Sequence, residues 1–136
     1  MIQGVVVGVP PLFDLIDAAF HVKGKSVVFA WDGIIYNPTG GPVPNEIGCH
    51  ELVHCRQQNG DPESWWHRYI EDREFRLAQE IPAHRVQYGE YCVHNPAGKL
   101  RNNRRLYLDL VARNLSSAFY GSLITYERAR ALIKAD

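Results

Sequence analysis

The sequence has neither an excess of charge of one sign nor a long apolar run. Lysine and arginine together number 15, as do aspartate and glutamate, so no net field favours nucleic acid or an anionic membrane as a partner. No segment approaches the roughly 20 apolar residues that span a bilayer. The N-terminal segment lacks the basic region and the small-residue cleavage site of a signal peptide. We therefore expect a soluble, cytoplasmic protein that binds neither nucleic acid nor membranes.

Cysteine is scarce and odd in number, with Cys49, Cys55 and Cys92 the only ones. The first two lie six residues apart on a predicted helix, about 120° apart around its axis, so they do not pair easily with each other. Free cysteines that pack as small hydrophobes are typical of a reducing compartment. With 46% hydrophobic residues, the 136-residue chain is long enough for one core. We predict a single domain over residues 1–136.

Signals for strands come before most signals for helices. A valine-rich stretch over 3–9 predicts a short strand, and two apolar runs around Asp32-Gly33 predict a β-hairpin, because this dipeptide favours tight hairpin turns. A Pro- and Gly-rich loop then leads into a helix that is predicted from about Pro44 to Gly60. The segregation predicts an α+β fold, with a short N-terminal β-sheet followed by a mainly helical part.

Five further helices are predicted. One lies before the hairpin in LFDLIDAAF, and one begins at Asp61-Pro62, an N-cap followed by a first-turn proline. Another is expected over Leu77 to Tyr91, with Pro82 in its first turn or at a kink. A long amphipathic stretch runs from Leu100 to Phe119. Finally, Thr125 can cap a last helix in YERARALIKA, which makes five in addition to the helix at Pro44.

The residues His50-Glu51-Leu52-Val53-His54 form an H-E-x-x-H motif inside the predicted helix. Positions four apart are separated by about 40° around a helix, so both imidazoles project from one face towards one ion. Two histidines suit Zn²⁺ and leave room for a third protein ligand and a water. A carboxylate at Glu51 is then placed to take the proton of that water. The motif predicts zinc bound by His50 and His54, with Glu51 as the catalytic base.

The third ligand must come from further along the chain, because no histidine follows His54 at the spacing of the extended motif. The acidic residues on the following helices are Glu63, Glu71, Asp72, Glu74 and Glu80. Three of them lie among arginines in EDREFR, which is typical of an ion-paired surface. Glu80 lies on a helix that can pack antiparallel to the motif helix. We predict Glu80 as the third zinc ligand.

The pairing of HELVH with Glu80 and, three residues later, Ala83 resembles the gluzincin class of zinc peptidases. Residues 34–91 are also similar to small metallopeptidases of bacteria and their phages. The resemblance implies a zincin-like domain that hydrolyses peptide bonds in a peptide or protein substrate. It implies that an edge strand before the motif helix aligns the substrate, and Ile34, Ile35 and Tyr36 occupy that place. It also implies an oxyanion donor, for which the candidates are His84, Tyr88, Tyr91 and His94.

Two other interpretations stay open at this stage. The chain could be a zinc-stabilised module that binds a protein partner without cleaving it, or it could bind no metal. The intact Glu51 favours a peptidase, since a structural zinc site usually has four protein ligands and no use for a carboxylate beside a bound water. Substrate specificity and oligomeric state are not predicted.

Overall fold

The computed structural model describes residues 4–95 and 101–135 of the chain. The elements in chain order are β1 (Val5–Val7), α1 (Phe13–Phe20), β2 (Phe29–Trp31), β3 (Ile34–Asn37), α2 (Asn45–Gln58), α3 (Pro62–Glu71), α4 (Arg73–His94), α5 (Arg101–Leu115) and α6 (Tyr126–Lys134), with a 3₁₀ turn at Ala118–Tyr120 between α5 and α6. The predicted α+β class is confirmed: a three-stranded N-terminal sheet is combined with six α-helices in the described part. The predicted ends at Gln3 and Leu100 lie outside the described residues.

The hairpin between β2 and β3 turns at Asp32-Gly33, as predicted. Both turn residues have positive φ angles, 49° and 84°, which the tightest hairpin turns require. β1 pairs with β3 in parallel, Val5 opposite Ile35, while β2 pairs with β3 antiparallel, Ala30 opposite Ile35. The strand order is therefore β1-β3-β2.

This strand order makes one prediction wrong. Ile34, Ile35 and Tyr36 were expected on an edge strand that receives an extended peptide, but they lie on β3, which has a paired neighbour on each side. The ladders to β1 and β2 already use both rows of backbone groups on β3, so β3 cannot take up a further strand. The free edges of the sheet belong to β1 and β2.

The free edge of β2 is covered in part by side chains from two helices. The carbonyl oxygen of Ala30 accepts hydrogen bonds from Gln58 Nε2 (2.8 Å) and Trp66 Nε1 (3.0 Å). The amide of Asp32 donates to Gln58 Oε1 at 2.8 Å. Gln58 thus binds the edge as a neighbouring strand would, and it fixes the end of α2 against the sheet.

The helix boundaries follow local capping chemistry. Pro44 is the N-cap of α2, and Asn59, at φ 49°, ends it. Asp61 caps α3 by accepting from the amide of Ser64 at 3.2 Å. Asp72 caps α4 by accepting from the amide of Phe75 at 3.0 Å. Aspartate is among the residues favoured at helix N-caps, because its side chain accepts from backbone amides that have no partner within the helix.

α4 differs from the prediction in its two ends. It begins at Arg73, four residues before Leu77, and it ends at His94, three residues after Tyr91. Pro82 lies well inside the helix, so of its two predicted places the first turn is wrong. The proline removes one helical N–H, so the carbonyl of Ala78 lacks its usual donor. Packing of α4 against α2, α3, α5 and α6 compensates for that loss.

Twelve of the buried apolar residues form two clusters, and α4 contributes partly buried residues that pack against both. The first joins α1, β2 and α3 through Ile16, Val22, Phe29, Trp65, Trp66 and Tyr69. The second joins α5 and α6 through Leu108, Val111, Ala112, Leu115, Ala129 and Ile133. The helix of Glu80 therefore packs against both clusters, and the motif helix packs along it. Of the described helices, none is long and apolar enough to cross a membrane.

Candidate metal centre

Two histidines on one face of α2 form the first half of the site. His50 and His54 are one turn apart and only 5% and 4% exposed, and their ring centroids lie 4.9 Å from each other. Their Nε2 atoms face the carboxylate of Glu80. The distances are 3.3 Å from His50 Nε2 to Glu80 Oε1 and 3.2 Å from His54 Nε2 to Glu80 Oε2. The helical spacing of the motif therefore produces the shared face that it predicts.

Glu80 completes the group from α4. It is 2% exposed, and one ligand atom from each of the three residues lies within 4.8 Å of the others. The remaining acidic candidates are outside this group: Glu63, Glu71 and Glu74 are exposed, and Asp72 caps α4. The structure thus brings the three predicted ligands together, and this buried group could hold a metal ion.

Two atoms of the group are buried without a hydrogen-bond partner. Among the described residues, His54 Nε2 and Glu80 Oε1 are enclosed and unsatisfied. An unsatisfied buried polar group costs about 1–3 kcal/mol, so such atoms are rare in native proteins. An imidazole nitrogen and a carboxylate oxygen are both metal ligands, and a cation between them would satisfy both. The residues present therefore fit a metal ion.

The hydrogen bonds of His54 show which ring nitrogen is free. Gln57 Nε2 donates to the backbone carbonyl of Gln79 at 3.0 Å, and a carbonyl oxygen only accepts. The amide oxygen of Gln57 therefore faces His54 Nδ1, 2.8 Å away, and Nδ1 must donate to it. The chain holds the ring so that Nε2 points at Glu80, which is the usual support of a metal-binding histidine.

His50 has a similar partner on α4. Its Nδ1 lies 2.9 Å from Gln87 Oε1, and the amide nitrogen of Gln87 donates to the hydroxyl of Tyr107 on α5 at 2.9 Å. This chain of contacts holds His50 from two further helices. Gln57, Gln87 and Tyr107 were not singled out in the sequence, where a glutamine on a helix face carries no distinctive signal.

The carboxylate of Glu80 is itself held by neighbouring side chains. The hydroxyl of Tyr69, on α3, donates to Glu80 Oε2. His84 Nδ1 lies 2.8 Å from the backbone carbonyl of Glu80 and 3.4 Å from its Oε1. Asn114 Nδ2 lies 3.2 Å from the other nitrogen of His84. Glu80 is thus fixed by contacts from α2, α3 and α4.

Burial and mutual charge shift the pKa values of the ionisable side chains at the site, which are His50, Glu51, His54 and Glu80. Burial raises the pKa of Glu51 to about 8 and lowers that of His50 to about 4. Burial alone would lower the pKa of His54, but the charge of Glu80 outweighs it and raises the value to about 9. Burial would likewise raise the pKa of Glu80, but the charge of His54 and contacts with the imidazoles hold it well below its usual range. The charged forms of His54 and Glu80 therefore stabilise each other.

Glu51 lies beside the ligand group rather than within it. It is 9% exposed, and its Oε2 is 3.6 Å from His50 Nε2. Both groups line a cavity of about 210 Å³, which is also bounded by Glu80 and by residues of α1, α3 and β2. Glu51 therefore faces the same space as the potential ligands, as the motif predicts for a catalytic base.

None of the four predicted candidates for an oxyanion donor is among the described residues that line the cavity. His84 is fully buried and both of its nitrogens have partners. Tyr88, Tyr91 and His94 are not among the described residues that line the cavity. Tyr120, in the 3₁₀ turn after α5, does line it, and so does Tyr69. Sequence reasoning missed Tyr120 because it follows a long helix at no distinctive spacing from the motif.

No protein-family model matches the chain, and no curated protein or solved structure is significantly similar to it. The resemblance to gluzincins therefore depends on the residues of this candidate metal site, and the activity that it implies is a proposal.

Proposed function

We propose that the chain is a zinc-dependent peptidase in which His50, His54 and Glu80 hold the metal and Glu51 is the general base. The observation that carries the proposal is the position of Glu51, next to a group of three ligand residues and facing the same cavity. Three protein ligands with an open position are typical of catalytic zinc, whereas structural zinc is usually enclosed by four.

The donor set supports zinc over other common metals. Two imidazole nitrogens and one carboxylate form a ligand set known from zinc hydrolases, while calcium and magnesium prefer oxygen ligands throughout. Zinc in such a site lowers the pKa of bound water and polarises a substrate carbonyl. Elemental analysis of the purified protein should give one zinc per chain. His50→Ala, His54→Ala and Glu80→Ala should each lose it, and stoichiometric zinc in the two histidine variants would exclude this site.

The residues of the chain then have separate tasks. Glu51 would accept a proton from the attacking water as the new C–O bond forms and the carbonyl π bond opens. It would then deliver that proton to the amide nitrogen, so that the C–N bond breaks as the carbonyl re-forms and the amine leaves. Gln57 and Gln87 hold the histidines with their Nε2 atoms towards Glu80. Tyr120 lines the same cavity, and in this proposal its hydroxyl donates to the carbonyl oxygen of the substrate as charge develops there.

The decisive variant is Glu51→Gln, with Glu46→Gln as a matched control on the same helix. Glu46 lies in the first turn of α2 and is not among the described residues that line the cavity. Glu51→Gln should keep zinc but lose at least about 10²–10⁴-fold in cleavage rate, the usual contribution of a general base. Glu46→Gln should cleave like the wild type.

The measurement is mass spectrometry of a diverse peptide library, incubated with each protein with and without a chelator. Chelator-sensitive cleavage by the wild type and by Glu46→Gln, but not by Glu51→Gln, would support the peptidase. Equal cleavage by all three proteins would remove Glu51 from the mechanism. Cleavage by none of them, with zinc present, would favour the zinc-stabilised binding module instead.

A further inference from the structure

Aromatic rings form a closed circuit that begins and ends at the two histidines of the metal centre. From His50 the circuit passes to His84, with ring centroids 4.7 Å apart, then to Tyr120 (5.5 Å) and Phe119 (5.0 Å). It continues to Phe20 (6.0 Å), Tyr69 (5.7 Å) and His54 (6.3 Å), which lies 4.9 Å from His50. All of these rings except that of His84 line the cavity beside Glu51.

Part of the wall of the cavity is apolar. Phe20 and Phe119 are in contact there, and Ile16 and Val22 add aliphatic wall. The polar groups near the histidines already have tasks, because Glu80 is a proposed ligand and Tyr69 donates to it. A group bound against the apolar part of the wall would therefore contact aromatic rings and methyl groups rather than free hydrogen-bonding partners.

Glu51 and Glu80, the two carboxylates that line the cavity, attract cations, but the surroundings disfavour a cationic occupant. The guanidinium of Arg76 lies 5.0 Å from the ring centroid of Phe20 and 5.7 Å from that of Tyr69. These rings already interact with one cation, and a second would meet like charge across them. The charge arrangement thus favours a neutral occupant.

The size of the cavity is consistent with an aromatic or large aliphatic side chain. Its volume is about 210 Å³, and an apolar protein cavity of about 150 Å³ is sufficient to bind benzene. A glycine or alanine would leave most of the space unfilled.

We propose that this cavity receives a large apolar side chain of the substrate, aromatic or leucine-like, from a residue next to the scissile peptide bond. The inference rests on the proposed peptidase function for its biological meaning. The physical content, a pocket selective for apolar side chains, can be tested without any cleavage.

Binding is measured with blocked pentapeptides Gly-Gly-Xaa-Gly-Gly in which Xaa is Phe, Leu, Lys or Gly. The protein is either Glu51→Gln or wild type with chelator, and the signal is tryptophan fluorescence, because Trp65 and Trp66 line the cavity. Burying a Phe or Leu side chain contributes enough for a preference of about 10- to 100-fold over Gly. The Lys peptide should bind no better than the Gly peptide.

Two phenylalanines provide a matched pair of variants. Phe119 and Phe13 are both half-buried and pack against the same cluster, but only Phe119 is among the described residues that line the cavity. Phe119→Ala should reduce the preference for Phe over Gly by about 10-fold, while Phe13→Ala should retain it. If Phe119→Ala fails to fold, Phe119→Leu removes only the ring and should weaken binding of the Phe peptide relative to the Leu peptide.

The outcomes separate this inference from the proposed function. Equal binding of the Phe and Gly peptides, or tightest binding of the Lys peptide, would overturn the apolar pocket whatever the wild type cleaves. Unchanged preference in both Phe119 variants would also overturn it. Selective binding of the Phe peptide without cleavage by zinc-loaded wild type would keep the pocket and exclude the peptidase.

Discussion

Arg76 provides the sharpest test of how the site is supported. Its side chain is 6% exposed and donates to three backbone carbonyls. Nε donates to Tyr69 (2.9 Å), Nη2 to Ile70 (2.8 Å) and Nη1 to Tyr120 (2.8 Å). The guanidinium therefore ties the end of α3 and the 3₁₀ turn to α4, one turn before Glu80. Two of the three carbonyls belong to tyrosines that line the cavity.

Arg76→Met keeps most of the side-chain length and removes every donor. A hydrogen bond to a charged group contributes about 1.5–3 kcal/mol, so three would contribute about 4.5–9 kcal/mol. Part of this lost stabilisation is offset, because burying the charged guanidinium costs free energy in the wild type and the variant has no charge to bury. The same burial lowers the pKa of Arg76. We expect a loss of about 3–5 kcal/mol in unfolding free energy. With about 2.1 cal/mol/K of unfolding entropy per residue, the midpoint should fall by about 10–17 °C.

Urea unfolding of wild type, Arg76→Met and Arg73→Met checks this estimate. Arg73 is exposed at the start of the same helix, so its replacement should change the unfolding free energy by less than about 0.5 kcal/mol. Arg76→Lys should recover only part of the loss, because one ammonium group cannot reproduce the fork geometry. A loss below about 1 kcal/mol in Arg76→Met, or full recovery by lysine, would refute the reasoning.

Two further predictions concern the support of His54 and the packing of the last helix. Gln57→Leu should lower zinc affinity by about 10- to 100-fold, measured by competition with a chelator, because it removes the acceptor of His54 Nδ1; an unchanged affinity would show that Gln57 does not orient the ring. Hydrogen bonds from Arg130 and Tyr126 hold the pKa of Asp109 below its ordinary value of 3.8. Wild type should therefore have a higher unfolding free energy than Asp109→Asn at neutral pH, and this difference should decline as the pH falls below 3.8. Urea unfolding at a series of pH values measures the difference. A pH-independent difference would contradict this linkage.

Local signals predicted the parts of the fold that depend on neighbouring residues. The Asp32-Gly33 turn and the caps at Asp61 and Thr125 appear where the sequence indicates them, and α2 begins next to Pro44 as predicted. The position of β3 in the sheet did not follow, because it depends on parallel pairing with β1, a segment about 30 residues away. No local pattern distinguishes a central strand from an edge strand of three or four residues.

At the start of α4, the sequence did not predict which charged residues are buried or cap the helix. The run EDREFR was interpreted as an ion-paired surface, and Arg73 and Glu74 are indeed exposed. The same run contains the N-cap Asp72 and the buried Arg76, whose partners are carbonyls on α3 and in the 3₁₀ turn. Charged residues with backbone partners far along the chain look the same in sequence as solvated ones.

In the candidate site, the structure brings together His50, Glu51, His54 and Glu80, as the motif and the helix-packing argument predict. The supporting residues could not be predicted in the same way. Tyr69, Gln87 and Tyr120 come from different elements, and each lies near the site through tertiary packing rather than through periodic spacing. A motif specifies ligands on one helix, whereas their support depends on every element packed against it.

The hydrogen bonds that hold His50, His54 and Glu80 affect how much free energy the site would lose in ordering these side chains around a metal ion. His50 and His54 are held through Nδ1, and Glu80 is held by Tyr69 and by the i, i+4 contact with His84. Arg76 in turn fixes the backbone of Tyr69. Because each ligand already has a fixed orientation, little side-chain entropy remains to be lost when a cation binds. The unsatisfied atoms, His54 Nε2 and Glu80 Oε1, are the ones that a cation would contact. The fold therefore preorganises a group of residues that could hold a metal ion, and a cation there would satisfy two buried atoms that have no hydrogen-bond partner.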